Sequence, residues 1–263
     1  MFKSVRQNQI KEILLERTQA DVQTLSSLLG VSTVTIRSDL TELEKAGFLK
    51  RIYGGAVLAG ESAAAPPSPE DEKNEITKHD AVKEQTALIA AQFIHSREWI
   101  FLGEGGSCYN IAKVLAEKND LNIVTNNLYA ALALRKNKTI NVVVTGGNLY
   151  HDRFCVGGEM FMNYINSINI DKAFFGVAGV DLEAGYTVSN VGENNVLQSI
   201  RKITKELYIV TSNTKFDRIG FVESGALTIS HAFITNEPVP KKYRDYFEQH
   251  GIRLVTSILP ENA

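Results

Sequence analysis

The chain has little cysteine, little proline outside one stretch, and no strong charge of either sign. Its two cysteines, Cys108 and Cys155, make neither a disulfide framework nor a metal-ligand spacing. Its five histidines (His79, His95, His151, His231 and His250) are scattered and form no ligand motif. No apolar run reaches the roughly 18 residues that a membrane-spanning helix needs. The opening residues, MFKSVRQNQIKEILLERTQ, are polar and periodic, without the unbroken apolar core of a signal peptide. These absences set the expectation of a cytoplasmic protein with reduced thiols, no membrane partner, and neither a metal site nor a cofactor.

What is present suits two domains of ordinary size, or one large one. There are 263 residues, and a hydrophobic content of 44% supports packed cores. The net charge of −2 divides unevenly: residues 1–57 hold eight basic and six acidic side chains, and the remainder 20 and 24. The sign suits nucleic acid at the N-terminal end only, and the excess there is small. One copy would bind weakly, and two copies on two half-sites would compensate.

The most informative stretch runs from Val31 to Ala56, VSTVTIRSDLTELEKAGFLKRIYGGA. Ser32 follows a Gly30-Val31 turn and can cap a helix. Ile36, Leu40 and Leu43 then recur at helical spacing, giving one apolar face. The opposite face begins with Thr33, Thr35, Arg37 and Ser38, short hydroxyls and a guanidinium where a recognition helix meets the major groove. Gly47 ends the helix. Phe48 to Tyr53 reads as a strand carrying Lys50 and Arg51, and Gly54-Gly55 as a tight turn, together a basic wing. Upstream, Asp21 to Leu29 reads as a short helix with Leu25, Leu28 and Leu29 inward. Ile10, Ile13 and Leu14 mark the apolar face of a first helix. A solvated amphipathic helix would explain the polar face alone; the two preceding helices and the wing favour a winged helix-turn-helix.

Residues 58–74 carry Pro66, Pro67 and Pro69, three of six prolines, among alanine, serine and acids. They have little to bury and read as a linker. From residue 75 to 263, apolar strand-like runs alternate with helical ones. The strands are expected at Trp99–Leu102, Leu121–Val124, Ile140–Thr145, Lys172–Val177, Leu207–Thr211, Ala232–Thr235 and Ile252–Val255. This pattern predicts an α/β domain with a largely parallel sheet covered on both faces. Four loops follow strand ends: GEGGS at 103–107, TNN at 125–127, VAGVDLEAGYT at 177–187 and SNTKF at 212–216. In open α/β sheets such loops converge on one ligand site. Gly105 and Gly106 permit close backbone approach, and Ser107 with the following helix N-terminus suits an anion. Thr125, Asn126 and Asn127 offer hydroxyl and amide donors, Lys215 a positive charge, and Glu104 and Asp181 acceptors for hydroxyls. Each piece alone is as well explained by turn geometry, helix capping or a solvated surface; the four together describe a pocket for a small phosphorylated sugar or polyol. Tyr150, Phe154, Phe161 and Tyr164 read as core or subunit contacts.

The Val31–Ala56 stretch resembles the signature of the DeoR family of bacterial sugar-metabolism repressors, roughly VS-x-x-TIRRDL-x-x-LE-x-x-G-x-L-x-R-x-HGGA. IFLGEGGSCYNIAKVL, IVTNNLYAALAL, VVVTGGNLYHDRFCVGG, DKAFFGVAGVDLEAGYT and IVTSNTKF resemble, in order, that family's sensor-domain motifs. The resemblance implies a non-enzymatic DNA-binding regulator, a repressor of a carbohydrate-utilisation operon. It implies a sensor fold related to ribose-5-phosphate isomerase and glucosamine-6-phosphate deaminase. A phosphorylated sugar or polyol would release the protein from operator DNA, and the protein would be a homo-oligomer, dimer or tetramer. Carried onto matching positions, the effector contacts are Gly105, Gly106, Ser107, Thr125, Asn126, Asn127, Gly179, Asp181 and Lys215. The chain departs from the pattern at Ser38, where the family has a second arginine, and at Tyr53, where it often has histidine. Gly103-Glu104 stands for a frequent Asp-Ala, and Ser212 for an aspartate. Two other readings carry different expectations. An isomerase or deaminase fused to a DNA-binding module would use Glu104 and Asp181 as acid and base, but neither has a histidine or lysine close by in sequence. A structural DNA-binding protein would bind no effector.

Overall fold

The computed structural model describes residues 2–17, 19–52, 55–58, 80–151 and 153–258. The linker expected at 58–74 falls outside them from residue 59 on, as do Tyr53, Gly54 and His79. The chain divides into two compact units, Met1–Pro67 and Ser68–Ala263, each considered by itself.

The first unit holds α1 (Lys3–Arg17), β1 (Gln19–Asp21), α2 (Val22–Leu29), α3 (Thr33–Lys45), β2 (Leu49–Ile52) and β3 (Gly55–Leu58). The strands form an antiparallel sheet in the order β1-β3-β2. Ile10 and Leu14 of α1, Leu25 of α2, and Ile36, Leu40 and Leu43 of α3 are buried together with Leu49 and Ala56. That is the winged helix-turn-helix expected, with two corrections. Leu28 points outward, because the inward positions of α2 are Val22, Leu25 and the partly buried Leu29, three and four residues apart. Gly55 belongs to a strand and not to the turn alone: β1 is a third strand, and a Cβ on Gly55 would lie 2.3 Å from the Ala20 carbonyl oxygen.

The second unit begins at α4 (Ala81–Ala91), whose N-cap Asp80 accepts from the Val82 and Lys83 N–H groups. Then come β4 (Trp99–Leu102), α5 (Gly106–Leu115), β5 (Asn122–Thr125), α6 (Leu128–Leu134), β6 (Asn141–Val144), β7 (Asn148–Tyr150), β8 (Cys155–Gly157), α7 (Glu159–Ile165) and β9 (Ile170–Phe175). The chain continues through β10 (Gly179–Asp181), β11 (Gly185–Val188), α8 (Val191–Ile203), β12 (Thr204–Val210), β13 (Val222–Gly225), β14 (Ala232–Ile234), α9 (Lys241–Gln249) and β15 (Arg253–Val255). Seven strands make one sheet, β15-β14-β12-β9-β4-β5-β6, parallel throughout.

The alternation within each strand explains the layers. Ile100, Leu102, Ile123, Phe174, Tyr208 and Val210 pack with α4, α5 and α6 on one face. Phe101, Val124, Ala173, Phe175, Leu207 and Ile209 pack with α7, α8 and α9 on the other. Both faces are therefore dry, and the strands read as near-continuous apolar runs. From β4 the chain builds outward to β5 and β6, then returns to the other side of β4 for β9 and beyond. The direction of winding reverses between β4 and β9, where crevices form at the carboxyl ends of strands. Two small antiparallel pieces were not expected: the β7–β8 hairpin, and a β10-β11-β13 sheet in which the segment read in sequence as the loop 177–187 pairs with itself and with Val222–Gly225.

Candidate functional sites

In the first unit, capping fixes the recognition helix. Ser32 Oγ accepts from the Thr35 N–H at 3.2 Å and lies 2.9 Å from Thr35 Oγ1. Gly30, at φ 63°, closes α2 with its N–H bonded to the Ser26 carbonyl. Asp39 faces inward from α3 and is almost wholly buried; Arg6 Nε and Nη2 donate to its two oxygens, the second at 3.1 Å. This pair ties α1 to α3, and Lys3 adds a second tie to Glu42 at 2.5 Å. Arg37 and Ser38 are exposed on the far side, whereas Thr33 and Thr35 are half-buried. Lys50 and Arg51 are exposed on β2. Arg51 is also braced: its Nη1 donates to Thr41 Oγ1 and its N–H to Glu44 Oε1, both at 2.7 Å. Of the six DNA-contact candidates, Arg37 and Ser38 lie on the exposed face of α3 and Lys50 and Arg51 on β2, with Thr35 partly engaged in the cap and Arg51 tied to α3.

In the second unit, the loops after β12, β9, β4 and β5 leave four adjacent strands of the sheet. Thr125 and Asn127 serve as scaffold. Thr125 Oγ1 donates to the Leu102 carbonyl at 2.6 Å. Asn127 Nδ2 donates to the Gly103 and Gly105 carbonyls at 3.2 and 3.1 Å, and its Oδ1 caps α6. Asn126 Nδ2 donates to the Val156 carbonyl, while its Oδ1 is buried with no hydrogen-bond partner among the described residues. The Gly-rich loop is held open from below. Gly105 sits at φ 90°, a conformation that favours glycine, and a Cβ there would meet nothing within 4 Å. No side chain caps α5, which leaves the N–H groups of its first turn without a side-chain acceptor from the N-cap. Ser107 lies 3.9 Å from where a Cβ of Gly176, after β9, would stand.

Glu104 is the buried charge of the site. Arg153 Nη1 donates to both its oxygens, at 2.9 and 3.1 Å, and Cys155 Sγ donates to Oε2 at 2.6 Å. Arg153 also reaches Asn190 Oδ1 at 3.2 Å, which caps α8 through the Glu193 N–H at 2.9 Å. The Glu193 carboxylate in turn accepts from the N–H of Ser189, the residue before the cap, at 2.9 Å. Burial pushes the Glu193 carboxyl up to about 7, and the charge of Glu104 adds to the rise; the Ser189 N–H, Arg153 and Lys215 oppose it. Lys215 lies in a short 3₁₀ turn, Asn213–Lys215, after β12.

The structure therefore brings Glu104, Gly105, Gly106 and Ser107 together over Thr125, Asn126 and Asn127, with Lys215 in the turn after β12. Gly179 and Asp181 lie on β10, which the Val180–Phe216 bridge sets beside the turn that carries Lys215. A Cβ on Gly179 would fall 2.1 Å from the Arg218 carbonyl oxygen, so that glycine answers to packing. Asp181 Oδ1 accepts from the Glu183 and Ala184 N–H groups at 2.9 and 3.0 Å. Those bonds hold its carboxyl below the usual range, and its charged neighbours are Lys242 and Asp217. Arg153, Cys155, Asn190 and Glu193 are the members that sequence reasoning missed. The signal for them was Glu104 itself, an acid between glycines in an apolar run, which needs a buried cation. Among the described residues there is no cluster of three metal-ligating side chains and no helix long and apolar enough to cross a membrane.

Comparison with known proteins gives a consistent result. Residues 6–61 match the model of the DeoR-like helix-turn-helix domain, and residues 78–237 that of the DeoR C terminal sensor domain. The transcriptional regulator GolR of Listeria innocua is 29% identical over 255 residues, covering 96% of this chain and 98% of that protein. The glycerol-3-phosphate regulon repressor of Escherichia coli is 27% identical over 254 residues, covering 97% and 99%. Among solved structures, ribose 5-phosphate isomerase A of Methanocaldococcus jannaschii overlays at a TM-score of 0.38 with 14% identity, covering 51% of this chain and 53% of that one. At that distance the overlay bears on neither ligand nor activity.

Proposed function

Starting from the fact that the chain belongs to the DeoR family of transcriptional regulators and is not an enzyme, we propose that it represses a carbohydrate-utilisation operon. It leaves operator DNA when a phosphorylated sugar or polyol fills the crevice above β4 and β9. The carrying observation is the start of α5 at Gly105, where no side chain caps the helix and a Cβ on the glycine would meet nothing within 4 Å. A phosphate there would meet backbone N–H groups and the positive end of a helix. Glu104, Glu193 and the unpartnered Asn126 Oδ1 supply acceptors for the hydroxyl groups of the same ligand. That one relative is named for a glycerol-3-phosphate regulon agrees with a ligand of this class.

Thr33, Thr35, Arg37 and Ser38 would meet the major groove, and Lys50 and Arg51 the backbone beside it. The small positive excess of residues 1–57 makes one copy a weak binder. We therefore take the working form to be a homo-oligomer, cytoplasmic, with two modules on two half-sites. Release requires the effector to favour the off-DNA arrangement by about 1–3 kcal/mol, a shift of roughly 5- to 150-fold. A direct test of the ligand class follows the fluorescence of Trp99, the sole tryptophan, during thermal unfolding of the full chain. A panel of phosphorylated sugars and polyols should contain a stabilising member whose unphosphorylated counterpart does nothing. Equal response to both forms would dismiss the phosphate site.

A further inference from the structure

We infer that Val34 reads a base: its methyl groups meet the C5-methyl group of a thymine in each operator half-site, beside the base contacted by Arg37. This rests on the DNA-reading role proposed above and names one element of its specificity. Val34 is the second residue of α3 and is 70% exposed, while the other apolar residues of that helix, Ile36, Leu40 and Leu43, are buried. At about 100° per residue, Val34, Arg37, Ser38 and Thr41 fall within an arc of roughly 100° opposite the buried side. A single exposed apolar residue is ordinary on a protein surface. What distinguishes Val34 is its place at the centre of the face that carries Arg37 and Ser38.

The residues on either side leave this position to Val34. Thr35 shares its hydroxyl with the Ser32 cap at 2.9 Å, and Thr33 is half-buried. The face is also held still. Asp39, one turn on, is gripped by Arg6, and Thr41 is bonded to the Arg37 carbonyl at 2.8 Å and to Arg51 at 2.7 Å. A valine side chain has no donor or acceptor, so it can contact neither phosphate oxygens nor polar base edges productively. The one apolar feature in the major groove is the thymine methyl group. A branched residue with restricted rotamers, on a fixed helix, suits a contact that depends on shape.

The test begins with selection of operator sequences from a random duplex library by the full-length protein. Each thymine of the selected half-site is then replaced by deoxyuridine, one at a time, which removes only the methyl group. Affinities are read by fluorescence anisotropy at fixed salt for the wild type and for Val34→Ala. One position per half-site should weaken wild-type binding about three- to fivefold, the worth of one buried methyl group. The same replacement should leave Val34→Ala, already weaker, unchanged. Val34→Thr, which keeps one methyl group, should retain part of the effect. If the wild type and Val34→Ala respond alike at every thymine, the inference is overturned. If the library yields no preferred sequence, the DNA-reading role itself falls, and the two failures are thus told apart.

Discussion

Replacing Glu193 by glutamine should stabilise the sensor unit once pH rises above the ordinary carboxyl range, with the full effect at neutral and higher pH. Burial and the charge of Glu104 raise this carboxyl from 4.5 to about 7. At about 1.4 kcal/mol for each tenfold, an ionised Glu193 costs the folded state about 3 kcal/mol. The sign follows from the direction of the shift. Below the ordinary carboxyl range the side chain is protonated in both folded and unfolded chains and costs nothing. As pH rises from 4.5 through about 7, the unfolded chain ionises first, and folding stability declines until both forms are charged. Glutamine keeps an oxygen to accept from the Ser189 N–H and removes the charge. Urea denaturation followed by Trp99 fluorescence reports this unit alone, because the chain has one tryptophan. Glu193→Gln should exceed the wild type by about 1–3 kcal/mol at about pH 8 and match it near pH 4.5. A variant no more stable than the wild type at the higher pH would refute the account of a strained acid pair.

Other perturbations separate scaffold from contact. Gly105→Ala forces a β-carbon onto a backbone at φ 90°. It should cost about 1–3 kcal/mol of folding stability in urea and abolish any phosphate-dependent stabilisation. Arg153→Ala leaves Glu104 buried without the guanidinium now bonded to both its oxygens. That should cost about 3 kcal/mol or more, and Glu104→Gln in the same chain should recover part of the loss in the same measurement. Arg37→Ala should lose about 1–3 kcal/mol of operator affinity and blur specificity in gel shifts, while Lys50→Ala weakens all sequences alike and lowers the salt slope by about 1.

The DNA module was legible because its signals are local. A cap at Ser32, apolar residues at 36, 40 and 43, and a glycine at 47 each stand about one turn from the next. The parallel sheet was legible for the same reason: seven short apolar runs with helical periods between them. What sequence hid is what long-range pairing decides. Glu104 and Arg153 stand 49 positions apart, and only the return of the β7–β8 hairpin to the end of β4 brings them together. The hairpin itself consists of two three-residue strands bounded by glycines, too short to show an alternation. β1, the tripeptide Gln19–Asp21, forms because β3 offers it an edge, not because of any propensity of its own. Asp181, read as a hydroxyl acceptor, spends its carboxylate on its own turn, which its place before Leu182-Glu183-Ala184-Gly185 already allowed.

The central claim is that occupancy of the crevice above β4 and β9 controls DNA binding by the other unit. Its most direct measurement is operator affinity by fluorescence anisotropy, in the presence of phosphorylated sugars and polyols and of the same compounds without phosphate. At least one phosphorylated compound should weaken operator binding by about 5- to 150-fold, its unphosphorylated form should have no effect, and Gly105→Ala should abolish the response. Operator affinity unchanged by every phosphorylated compound, or lowered equally by the unphosphorylated forms, would contradict the account.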